Sequence, residues 1–176
     1  MTTLVGQDSG TIIGSDGNPN TGFQNATFSS PNYTGMTAVA TGTATSVKIT
    51  LSGAQTAGRK VQAAIYTSGV PTPVQLGKTT EYTTTGSETD PQTITLPLVA
   101  SVSITSGTDY ILVAWMDNFV NIGYQAAGGS TTAGITYVSN DWSTYVFGSG
   151  STGHGLLLIW ADGTTGGIVL MGQICT

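Results

Sequence analysis

The stretch Thr45-Ser46-Val47-Lys48-Ile49-Thr50-Leu51-Ser52 decides the fold class, because apolar and polar residues alternate along it. Side chains of an extended chain point to opposite faces in turn, so Val47, Ile49 and Leu51 share one face and Lys48 and Thr50 the other. Residues 60–67 repeat the pattern, with Val61, Ala63 and Ile65 set against Gln62 and Tyr66. Residues 93–98 send Ile94, Leu96 and Leu98 inward; Pro97 has no N–H to donate and marks an edge or a strand end. Residues 109–116 are nearly all apolar, as suits a strand buried on both faces. Residues 155–161 and 167–174 are the last two apolar strand candidates.

Turn residues punctuate these runs at Ser52-Gly53, 69–73, Thr85-Gly86, Ser106-Gly107, Gly128-Gly129, 148–155 and 162–167. No segment carries a sustained helical period with caps. Short strands at this spacing predict an all-β antiparallel sandwich, jelly-roll-like, over residues 35–176. Residues 1–34 read as an extended N-terminal arm or edge segment, rich in Gly, Asn, Asp, Ser and Pro, with Phe23, Phe28 and Tyr33 as spaced anchors. Two readings of this segment stand side by side. It either docks on a neighbouring subunit or wraps its own domain. Leu156-Leu157-Leu158-Ile159-Trp160 offers apolar groups to both faces of a strand, which calls for cover from a loop, the arm or a second subunit. Leu157 and Ile159 are therefore candidate assembly residues.

Composition narrows the function. Of 176 residues only 7% are charged, against roughly 25% in ordinary soluble domains. Low charge with ample apolar content argues against intrinsic disorder and leaves a neutral coat of Thr, Ser, Asn, Gln and Gly. The 4 basic residues, Lys48, Arg59, Lys60 and Lys78, cannot supply the clustered cations that phosphate-backbone binding needs. An acidic pI near 4.3 also disfavours an anionic membrane as partner. The first residues lack a basic start and an apolar core, so no signal peptide is expected, and no apolar run reaches bilayer length. Folding in the producer's cytosol is the corresponding expectation. Cys175 stands alone, so no disulfide within the chain can form.

Catalysis finds no positive sign. The single histidine, His154, lies in a glycine-rich stretch that is poorly suited to hold a general base, and no nucleophile elbow is present. Any catalytic arrangement would have to gather His154 with acids such as Asp141 or Asp162. One His and one Cys cannot build a zinc site. Structural calcium is the metal the composition leaves open, through Asp8, Asp16, Asn18, Asp117, Asn118 and Asp162, although the D-x-D-x-D-G loop is incomplete. Glu81 and Glu88 read as solubilising surface charges. Trp115 belongs with the buried strand. Trp142 and Tyr145, in Asn140-Asp141-Trp142-Ser143-Thr144-Tyr145, are candidates for a sugar platform or protein contact, or for an aromatic plug under a long loop.

The runs Val61-Gln62-Ala63-Ala64-Ile65-Tyr66, Gly69-Val70-Pro71-Thr72-Pro73, Leu76-Gly77, Ile94-Thr95-Leu96 and Val102-Ser103-Ile104-Thr105-Ser106-Gly107-Thr108-Asp109-Tyr110-Ile111-Leu112 carry a resemblance. Over about residues 40–125 the chain resembles the β-sandwich modules appended to bacterial surface proteins and to phage tail and virion proteins. The resemblance implies a jelly-roll-like sandwich serving attachment, glycan contact or particle decoration. A short chain without an export leader fits a virion component, released by lysis, better than a secreted adhesin module. The expected partners are further copies of the chain and other virion proteins, with a host-surface glycan as the alternative.

Overall fold

The computed structural model describes residues 2–6, 26–28, 32–68, 72–117, 120–122, 124–132, 138–143, 152–157 and 159–165. Among them the strands are β1 (Thr2–Gly6), β2 (Ala26–Phe28), β3 (Asn32–Thr37), β4 (Gly42–Leu51), β5 (Lys60–Thr67), β6 (Gln75–Lys78), β7 (Tyr82–Thr83), β8 (Gln92–Ile104), β9 (Asp109–Met116), β10 (Val120–Ile122), β11 (Tyr124–Thr132), β12 (Thr152–Leu157) and β13 (Ile159–Thr165). They form two antiparallel sheets packed against each other.

The topology follows from nested pairing. Take β1, β3, β4, β5, β6, β8, β9 and β13 in chain order: the first pairs with the last, and so on inward. Thus β1 pairs β13, β3 pairs β9, β4 pairs β8, and β5 pairs β6. The chain is folded double, and the double ribbon is then wrapped, because β13 also pairs β4 and β9 also pairs β5. One sheet therefore contains β1-β13-β4-β8 and the other β3-β9-β5-β6, which is the jelly-roll arrangement. Strands β10 to β12 are an insertion between β9 and β13: β10 joins β2 and β4, while β11 and β12 extend the second sheet beyond β3.

Alternation places the core where the sequence reading puts it. Val47, Ile49 and Leu51 of β4, Val61, Ala63 and Ile65 of β5, and Ile94 and Leu96 of β8 lie in one buried cluster with Leu112, Ala114 and Met116 of β9. Leu98 is only partly buried, packing against that cluster's margin. Pro97 is accommodated as expected, since β8 pairs only with β4 within its sheet. The turns at Gly53, Gly86 and Gly107 each use a positive φ, of 73°, 80° and 77°.

Several boundaries differ from expectation. The division near residue 34 falls inside β3, which sits in the interior of the second sheet between β9 and β11. Within residues 1–34, β1 and β2 stand at the two ends of the first sheet, paired to β13 and β10. The expected strand at 155–161 falls on two strands in different sheets, β12 and β13. Gly128-Gly129 and Asp162 read as turns, yet β11 and β13 run through them: Asp162 is held between Thr3 and Ser46, and the two glycines fall in the register break of β11 between Gln125 and Ser130. Residues 167–174 and Cys175 lie outside the described residues.

Strand β4 carries an extra residue. Asp162 pairs Ser46, but Gly163 pairs Ala44, so Thr45 is left over; opposite it on β8, Val102 pairs Ala44 and Pro97 pairs Ser46. This bulge keeps both Ala44 and Val47 facing the core, at 0% exposure. Across the same strands, on the outer face, Lys48 Nζ meets Asp162 Oδ2 at 2.7 Å, and Asp162 is buried. Asp162→Ala is expected to lower stability by about 1–3 kcal/mol, less than for a fully enclosed pair because Lys48 retains some access to water. Denaturant midpoints of Asp162→Ala, Lys48→Ala and the double variant test this; a cycle with no coupling would sink it.

Candidate functional site

Strands β5 and β9 are apolar on both faces, and the outward set needs its own cover. Ala64 and Tyr66 of β5 and Val113 and Trp115 of β9 form a second buried cluster with Trp142, separate from the core between the sheets. The Trp142 ring meets Trp115 edge-on, with centroids 5.0 Å apart, and lies 6.3 Å from the Tyr66 ring. Trp142 is 6% exposed. Residues 138–143 thus lie as a strap over the outer face of the second sheet.

Polar side chains of the sheet hold the strap by its backbone. Gln62, fully buried, donates Nε2 to the Val138 carbonyl at 3.2 Å and accepts the Asn140 N–H at Oε1, also at 3.2 Å. Lys78 Nζ donates to the Asn140 carbonyl at 3.2 Å. Ser139 Oγ donates to Glu81 Oε2 at 2.6 Å, and Glu81 Oε1 takes Lys60 Nζ at 2.9 Å. Asn140 adopts φ 55°, a left-handed conformation that Asn tolerates better than most residues. Asp141 Oδ1 accepts the Ser143 N–H at 2.8 Å. The bonds from the Ser143 N–H and side chain hold the Asp141 carboxyl below its ordinary pKa against an opposing effect of burial, with a lesser pull from Lys78. The strap offers Val138, Ser139, Asn140, Asp141 and Ser143 to solvent, a mostly polar surface with one anionic group.

The sequence candidates divide accordingly. Trp142 is placed as a plug, packed on Trp115, so its ring faces are not laid open as a sugar platform requires. Tyr145 and Phe23 lie outside the described residues. Ile159 is in the core between the sheets at 0% exposure, so it is no outer-face contact. Phe28 of β2 stands opposite Val120, Tyr33 of β3 opposite Val113 and Thr131, and Leu157 of β12 opposite Tyr124. His154 of β12 pairs in register with Ser130. Asp141 and Asp162 sit over different sheets, in the strap and on β13, so one cleft does not gather both. Of the calcium candidates, Asp117 Oδ1 accepts the Lys60 N–H at 3.0 Å and Asp162 is engaged by Lys48. Asp8, Asp16, Asn18 and Asn118 lie outside the described residues. Among those described, no three His, Cys, Asp or Glu side chains come together.

Glu81 and Glu88 are not idle surface charges. Glu81 ties Lys60 to the strap, as above. Glu88 closes the 84–89 turn: its Oε1 accepts from the Thr85 N–H at 2.6 Å and the Tyr82 hydroxyl at 3.0 Å, and its Oε2 from the Gly86 N–H at 2.9 Å. Burial raises the Glu88 pKa, but these donors outweigh it and bring it down to about 2 from 4.5. The folded pKa is depressed, so the stabilisation is present above about pH 4.5 and lost as pH falls toward 2. Glu88→Gln is expected to flatten the acid side of a midpoint-against-pH curve in that window; an unchanged slope would count against the turn's dependence on the carboxylate.

Sequence reasoning missed the strap's anchors. The signal was Gln62, a polar residue in a strand otherwise suited to burial on both faces, which must find a partner for its amide. Comparison with known proteins finds no matching family model, no matching curated protein and no matching solved structure.

Proposed function

We propose that this protein is a non-enzymatic structural component of a bacteriophage virion, a capsid decoration, head-fibre or tail protein that acts by assembly on the particle exterior. The observation that carries the reading is a jelly-roll sandwich with so few charges that its exterior is set by hydroxyl, amide and glycine groups. Jelly rolls recur in capsid and lectin domains, and a neutral coat suits contacts repeated by symmetry, each needing modest complementarity. The burial of Trp142 weighs against the lectin-like alternative, a carbohydrate-binding module using Trp142 and Tyr145. Paired β1 and β2 make removal of residues 1–30 a poor test of docking, since it would strip both from their sheet.

The full chain is the better probe. Light scattering coupled to size exclusion is expected to give a closed oligomer or a polymer. A clean monomer across a wide concentration range, binding members of a glycan panel, would overturn the assembly reading in favour of the carbohydrate one.

A further inference from the structure

We draw no further inference here: the strongest candidate, the exposed apolar patch of Val74 and Leu76 at the β6 edge and Val99 on β8, has nothing in the structure that shows what covers it.

Discussion

Gly163→Ala is expected to be among the most damaging single-methyl changes in this chain, costing about 3 kcal/mol or more. Gly163 lies where β13 crosses the β4 bulge, and a Cβ there would overlap the Thr43 carbonyl oxygen, with the Ala44 Cα at 2.8 Å. These obstacles are backbone atoms, so no rotamer change relieves them. The ladder between β4 and β13 would have to part, and it belongs to the nested pairing that closes the sheet. A loss of this size is a large share of the 5–15 kcal/mol typical of a domain.

Two other glycines calibrate the effect. Gly107 sits at φ 77° with open space around it, so Gly107→Ala should cost only the left-handed conformation, about 1–2 kcal/mol. At Gly77 the nearest obstacle is the Val102 Cγ2 methyl, a side chain, so pairing Gly77→Ala with Val102→Ala should recover part of the loss. Urea midpoints of the four variants test the order. Gly163→Ala no worse than Gly107→Ala would refute the close approach.

The same bulge shows what was legible in the sequence. Alternation in β4, β5 and β8 announces which residues face the core, because one buried face imposes period 2 wherever pairing is regular. The bulge at Thr45 is set by two neighbouring strands at once, and nothing local in Thr43 to Val47 announces it. The change of sheet from β12 to β13 is similar: an unbroken apolar run conceals a change of partners set by strands distant in sequence. Of the candidate site, the aromatic pair Trp115 and Trp142 was visible as residue types. That Trp142 is buried was not, since it gains its cover from strands far away in sequence. Polar neighbours such as Asn140 and Asp141 suggest exposure, yet they occupy the strap's outer side while Trp142 points down.

Trp142→Ala is expected to cost about 3–5 kcal/mol, the range for removing a buried aromatic. The loss has two parts: the apolar contact with Trp115, Tyr66 and Val113, and the edge-on aromatic pair, itself worth about 0.5–1.5 kcal/mol. Trp142→Phe should recover part of both. The buried Tyr66 phenol provides a second readout. Burial pushes its pKa up to about 12 from 10.0, with the bond from Gln75 pulling the other way. Its raised value means stability is present below about pH 10 and lost as pH climbs toward 12. With the strap loosened in Trp142→Ala, Tyr66 should titrate nearer 10, and the alkaline limb of the stability curve should flatten. A residue that served as an open sugar platform would behave otherwise: its removal would abolish glycan binding while leaving midpoint and Tyr66 titration where they were. An unchanged midpoint in Trp142→Ala would therefore sink the packing account and restore the carbohydrate reading.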